Sequence, residues 1–348
     1  MSRRMNEYMD DEPKPKVWAI VLGIAIVAVL IFVGVQVFET MTSRPSERGN
    51  ANMRTELANL PEIEFEGAKY RMKKNLTTIL LMGIDHRNFD DTSRSTELAN
   101  GSRNGGQADF LRLLVIDDGN KQLHSIAIDR DTMTPITILG ITGKKAGKRT
   151  VQITLQHSFG DGRERSAELT VDAVSNLLYN IPITYYFALN MDGISTLNDW
   201  LGGVTVPIVD DFSQVDPSLV MGQNITLHGE QAETFVRERA HMNVGTNEAR
   251  MERQKVYLSE AERLLRERLR SDMNSAENLY DSLSSDFTTN MSKGTLSNIA
   301  YATNDYEESE VIEPAGEHVV GENGYVEFHV DEQSLLRIIV DTFYDKVE

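Results

Sequence analysis

The run Val17 to Phe38, VWAIVLGIAIVAVLIFVGVQVF, constrains this chain more than any other feature. It holds 22 residues, none charged, with one polar side chain, Gln36, near its end. At 1.5 Å per residue such a helix covers roughly 33 Å, enough to cross the hydrocarbon core of a bilayer. A cleaved signal peptide has a shorter apolar region before a small-residue cleavage site, a pattern not evident here. Arg3, Arg4, Lys14 and Lys16 precede the run, and only Arg44 and Arg48 follow closely. The positive-inside rule therefore predicts a cytoplasmic tail (residues 1–16), a single transmembrane helix (17–38) and an extracytoplasmic remainder.

With 53 acidic against 35 basic residues, the net charge is -18. A nucleic-acid binder needs a basic face, so that class is disfavoured. Any anionic ligand must be met by a local cluster of arginine or lysine against an unfavourable overall field. Cysteine is absent, which excludes disulfides, thiolate catalysis and cysteine-built zinc sites. The seven histidines are scattered without metal-ligand spacing, and no GxSxG elbow is present.

After the span, residues 39–74 read as a polar stalk, and a folded domain is expected over 75–348. It opens with LTTILLMGID, a buried-strand run from Leu76. Residues 87–107 are polar and rich in turn formers, which predicts an exposed loop. FLRLLVIDD and LHSIAIDR then flank Asp118-Gly119-Asn120, a hairpin signal. GITGKKAGKRT (140–150) is a basic, glycine-rich stretch that lacks phosphate-loop spacing and reads as a flexible surface loop. Helices are predicted for SAELTVDAVSNLLY, GISTLNDWLGG, HGEQAETFVRERA and a long charged segment over 247–270. ITYYFALN, VTVPIV and GYVEFHV read as strands, SLLRIIVDTFYD as a final helix, and the acidic stretch from Tyr306 to Glu317 as a mobile accessory segment. Alternating strands and helices give an α/β class with layered packing.

Charged residues at strand ends are the candidates for chemistry. Asp85 closes the first strand and Asp109 begins the second. If those strands are neighbours, the carboxylates approach one another at the sheet edge, the usual way to hold magnesium together with substrate phosphates. Taken alone, the pair is better explained as caps of a strand or turn. Asp129-Arg130-Asp131 ends the third strand, and three consecutive charges there belong at a surface or in a site. Arg237 and Arg239 end the GEQAETFVRER segment, and Arg250 and Arg253 share a helical face. Residues 237–270 hold nine basic against six acidic side chains, which surface ion pairs also explain. Guanidinium groups remain the natural bidentate clamp for a diphosphate.

The order of these features resembles the LytR-CpsA-Psr family of Gram-positive cell-wall proteins over roughly 75–270, most specifically in ITYYFALNMDG, LGGVTV and GEQAETFVRER. The resemblance implies a layered α-β-α domain on one N-terminal transmembrane helix, anchored in the cell membrane. It also implies a phosphotransferase that moves a glycopolymer, such as teichoic acid or capsule, from an undecaprenyl-pyrophosphate lipid to a peptidoglycan sugar hydroxyl. Carried over by position, Asp85 and Asp109 would bind Mg2+, and Arg130 and Asp131 would be catalytic. Arg87, Arg130, Arg237, Arg239, Arg250, Arg253 and Gln254 would bind the pyrophosphate. The chain departs from the family at several points. Asp129 stands where proline is usual, Gln107 where arginine is usual, Ala108 and Phe110 where serine and threonine are usual, and His228 where asparagine is usual. One arginine fewer and one aspartate more imply a weaker grip on an anion and a retuned substrate. Two alternatives stand beside the transferase: a non-catalytic binder of polyprenyl-phosphate lipids, and a transcriptional regulator. A cytoplasmic tail of about 16 residues is too short for a DNA-binding fold and argues against the regulator.

Overall fold

The computed structural model describes residues 62–85, 105–140, 143–238, parts of 252–268, 275–303, 306–322 and 324–347. In chain order, β1 (Glu62–Phe65), β2 (Ala68–Met72), β3 (Leu76–Ile84), β4 (Ala108–Asp117), β5 (Gln122–Ile128), β6 (Met133–Leu139) and β7 (Lys145–Gln152) lead into a 3-10 helix (Ile153–Phe159). Then come α1 (Glu164–Leu177), β8 (Tyr185–Asn190), α2 (Asp192–Leu201), β9 (Val204–Pro207), β10 (Asn224–Leu227) and α3 (Glu230–Arg237). The described residues of 252–268 are helical. The chain ends with α4 (Ser275–Ser282), β11 (Phe287–Thr289), α5 (Lys293–Ala302), β12 (Glu307–Ile312), β13 (Gly316–Val320), β14 (Val326–Val330), α6 (Glu332–Phe343) and β15 (Tyr344–Val347).

The central sheet runs β11-β8-β3-β4-β5-β12. β3 pairs antiparallel with β4 and parallel with β8, and β4 pairs antiparallel with β5 across the expected Asp118-Gly119-Asn120 turn. Period-two alternation sends Ile79, Leu81, Leu114 and Ile116 to one face and Leu80, Met82, Leu113 and Val115 to the other. Ile194 and Leu197 of α2, Phe235 of α3, and Tyr257, Ala261 and Leu265 cover the first face. Those last three recur every fourth residue, so they form one helical stripe. Ala173 and Val174 of α1 with Leu335, Ile339 and Phe343 of α6 cover the second face. The result is the α-β-α layering expected. Gly202 ends α2 in the left-handed conformation at φ 89°, as the paired glycines after Leu201 suggest.

Three expectations from the sequence are corrected. Glu62–Met72 is no stalk: β1 and β2 form a hairpin, and β15 pairs with β2 through Tyr344↔Met72 to Val347↔Lys69. The folded unit therefore starts before residue 75. Within the basic stretch, residues 145–150 are no loose loop, because β7 pairs with β6 from Met133↔Gln152 to Leu139↔Lys145. The acidic stretch after Tyr306 is an edge strand, β12, parallel to β5. Its charges are tolerated because an edge keeps one side in water. Among the described residues no helix is long and apolar enough to cross a membrane. The expected span, 17–38, lies outside the described residues.

Candidate active site

β3 and β5 run the same way and β4 runs against them, so the C-terminal ends of β3 and β5 meet the N-terminal end of β4 at one sheet edge. Asp85 follows β3, Asp109 is the second residue of β4, and Asp129–Asp131 follows β5. Topology thus gathers four of the residues expected from the sequence: Asp85, Asp109, Arg130 and Asp131.

A bulge presents Asp109. Gly83 pairs with Phe110 while Ile84 pairs with Ala108, which leaves Asp109 as the extra residue. Ala108 and Phe110 accordingly enter opposite cores although they are two residues apart. A bulge re-aims the side chain that it carries, and here that side chain is the carboxylate. Arg130 Nη1 lies 2.6 Å from Asp109 Oδ1, and the Thr154 hydroxyl donates to the same oxygen at 3.2 Å. Burial pushes the Asp109 carboxyl up to about 7, against the pull of Arg130; Asp85 and Asp131 push it further up.

Asp85 is locked to the chain entering β4. Its backbone N–H donates to Gln107 O at 3.0 Å, and the Gln107 N–H donates back to Asp85 Oδ1 at 2.5 Å. The Gln107 side chain accepts from Arg130 Nη2 at 2.9 Å. Arg130 is therefore forked between Asp109 and Gln107. Its buried Nε makes no hydrogen bond and stands 3.6 Å from Asp131 Oδ1. Burial also raises the Asp131 carboxyl, partly offset by Arg130.

The 3-10 helix braces both arms of the site. Its first residues tie to the charged turn, Ile153 N–H to Thr132 O at 2.8 Å and Thr154 N–H to Arg130 O at 3.1 Å. Its last residues hold the approach to β4: His157 Nδ1 lies 2.6 Å from Gly105 O, and Ser158 donates to Gly106 O at 3.0 Å. Gly105 sits so close that a Cβ there would come within 2.7 Å of His157 O. Thr154 is a neighbour of Asp109 that sequence reasoning did not place in the site, whereas Gln107 entered there only as a departure from the family's usual arginine.

The arginines expected to hold pyrophosphate divide. Arg87, Arg239, Arg250 and Gln254 lie outside the described residues. Arg237 Nη1 donates to Glu233 Oε1 at 2.5 Å, one turn back on α3. Arg253, also expected to hold pyrophosphate, is engaged within the protein. Its side chain is 2% exposed, with Nε donating to Phe235 O at 2.8 Å, Nη2 to Glu238 O at 2.6 Å and Nη1 to the Asp210 carboxylate. The guanidinium also lies over the Phe212 ring, 5.4 Å from its centroid. Arg253 therefore fastens the C-terminal end of α3, with each of its three guanidinium nitrogens engaged within the protein.

Among the described residues no group of three or more His, Asp or Glu side chains forms a metal cage. The Asp85–Asp109 pair still suits a hard divalent cation, because Mg2+ takes one or two carboxylates and completes its shell with water and phosphate oxygens. The mutual repulsion that helps raise Asp109 is what such a cation would relieve.

A sequence profile of the LytR_cpsA_psr family matches residues 38–341. The polyisoprenyl-teichoic acid–peptidoglycan teichoic acid transferase TagU of Bacillus anthracis (strain CDC 684 / NRRL 3495) is 30% identical over 167 residues, covering 48% of this chain and 46% of the relative. The transferase of the same name from Halalkalibacterium halodurans is 26% identical over 220 residues, covering 63% of this chain and 62% of the relative. The chain thus spans about half the length of the Bacillus relative. Protein gbs0355 of Streptococcus agalactiae shares the fold at a TM-score of 0.53 and 22% identity, over 76% of this chain and 85% of that one. With the family profile running over most of its length, the chain belongs to the LytR_cpsA_psr family.

Proposed function

We propose that this chain is a membrane-anchored, Mg2+-dependent phosphotransferase. It would move a glycopolymer from an undecaprenyl-pyrophosphate-linked donor to a sugar hydroxyl of peptidoglycan outside the cell membrane. The observation that carries this reading is the bulge-presented Asp109, buried beside Asp85 and forked to Arg130. Membership of the family and the likeness to proteins named as teichoic acid transferases support it.

In this reading the acceptor oxygen forms a bond to the polymer-side phosphorus, the bridging P–O bond of the pyrophosphate breaks, and polyprenyl phosphate leaves. Phosphoryl transfer needs positioning and neutralisation of charge more than covalent help. Asp85 and Asp109 would hold the Mg2+ ion, which when bound supplies positive charge at the pyrophosphate oxygens. Arg130 exchanges its side-chain partners Asp109 and Gln107 for phosphate oxygens, a trade that its fork geometry favours. Asp131 holds the guanidinium from the Nε side, and its raised proton affinity suits it to take up the acceptor's hydroxyl proton.

The test uses the purified full chain, a synthetic polyprenyl-pyrophosphate oligosaccharide and a peptidoglycan acceptor. Release of polyprenyl phosphate that requires both Mg2+ and Arg130, lost in Arg130→Ala, is expected. A second reading, a lipid binder without turnover, is favoured by one observation: both terminal nitrogens of Arg130 are engaged within the protein. Tight donor binding with no turnover, unchanged in Asp85→Ala, would establish the binder instead.

A further inference from the structure

The β6–β7 hairpin has a composition unlike the rest of the chain. From Thr132 to Gly160 there is no acidic residue, although the chain carries 53 of them. Within the same stretch Lys144, Lys145, Lys148 and Arg149 fall inside six consecutive positions. All four are exposed, as is every residue of β7 from Lys145 to Thr150. Lys145 has a loose surface partner in Asp172 at 3.6 Å. Edge strands commonly carry a lysine or two to prevent aggregation. Four cations in a chain of net charge -18, with no interspersed acid, exceed what that purpose needs.

The root of the hairpin is the second observation. β6 begins two residues after Asp131, and two residues after β7 ends lies Thr154, the residue that donates to Asp109. Both ends of the arm are therefore fastened to the reacting centre. At about 3.3 Å per residue, the eight residues of β7 extend roughly 25 Å from that root. A bilayer is a poor match for this arm, because among the described residues none of the large exposed apolar side chains belongs to β6 or β7. Flexible ammonium groups along an extended strand suit a chain of phosphodiesters.

We propose that the β6–β7 hairpin is a polyanion-binding arm that grips the phosphate-bearing repeats of the transferred polymer and so selects anionic over neutral glycopolymers. The inference rests on the transferase reading and adds a substrate class to it. The test compares the full chain with the variant Lys144→Gln/Lys145→Gln/Lys148→Gln/Arg149→Gln. These side chains are exposed, so the variant is expected to fold. The probes are soluble poly(glycerol phosphate), a neutral dextran of similar length, and vesicles of anionic lipid. The variant should bind poly(glycerol phosphate) about ten-fold more weakly, with a flatter salt dependence, while dextran is unaffected. With donors bearing anionic polymer KM should rise and kcat hold, and a short neutral donor should turn over equally in both proteins. Equal binding by the two proteins would overturn the proposal, as would hairpin-dependent binding to vesicles without binding to the polymer. No turnover with any donor, alongside hairpin-dependent polymer binding, would overturn the transferase reading and leave the polyanion site standing.

Discussion

Arg130 and Arg253 carry the same side chain into two settings. Arg253 is buried among main-chain carbonyls, donating to Phe235 O and Glu238 O as well as to Asp210. Arg130 is about a fifth exposed, and its hydrogen-bonded acceptors are side chains, with one nitrogen left without a hydrogen bond. A guanidinium committed to backbone carbonyls cannot leave without unpairing the chain it holds. One committed to side chains can exchange them for a ligand. The difference separates an arginine that fastens the main chain from one whose partners are exchangeable, and residue type alone does not reveal it.

The largest expected effects set the two against each other. Arg253→Ala strips two carbonyls and an aspartate of their partner in the interior, a change that costs about 3–5 kcal/mol. The melting temperature should fall by about 6–15 °C, with activity lost only in proportion to the unfolded fraction. Arg130→Ala should do the reverse. In the proposed reaction it removes a group that meets developing charge, for a loss of about 10²–10³-fold in kcat. The melting temperature should move by only a few degrees, because Asp109 can answer the loss by taking up a proton. A stable but inactive Arg253→Ala protein would return Arg253 to the phosphate site and break the distinction.

Asp109 sharpens the comparison next. Its carboxyl holds a proton up to about pH 7 in the folded chain, against about 4 when unfolded. Between those values the folded state binds more protons, so this group's contribution to stability is full below about pH 4 and is lost as pH rises through 7. Without divalent cations the wild type should lose several degrees of melting temperature from pH 4 to 8 relative to Asp109→Asn. Added Mg2+ should raise the wild-type melting temperature more at pH 8 than at pH 5, since only the ionised pair attracts it. Parallel melting curves for the two proteins would show that Asp109 is not desolvated as described.

Much of the scaffold was legible. Long apolar runs announced β3, β4 and β5, Asp118-Gly119-Asn120 announced the turn, and charged residues at strand ends marked the site edge. What escaped depends on partners far away in sequence. The bulge at Asp109 exists only in the register with β3. Residues 69–72 become a strand edge for β15 only when residues 344–347 arrive. β7, with its glycine and lysines, has weak strand propensity and is held by pairing with β6. For Arg253 the sequence shows a guanidinium and not its acceptors, Phe235 O, Glu238 O and Asp210.

The smallest effect concerns Asp129, the acid that stands in place of the family's usual proline. Its Oδ1 accepts from the Asp131 N–H at 2.7 Å, and His318 Nε2 lies 2.9 Å from its Oδ2. The His318 ring packs 4.6 Å from that of Phe328, whose N–H donates to Asp131 O at 2.8 Å. The β13–β14 hairpin therefore clips the charged turn at two points. His318 and Asp129 are each about one-third exposed, so His318→Ala should cost no more than about 1 kcal/mol. It also removes one of the influences that hold down the proton affinity of Asp131. The acid limb of the pH–rate profile should shift upward, with kcat at neutral pH falling about two- to three-fold. Asp129→Asn should remove the sensitivity to His318, because the charge that the histidine answers is gone. If the two substitutions act additively on rate, the hairpin holds the turn by packing alone, and Phe328 rather than His318 is the contact that orients Arg130 and Asp131.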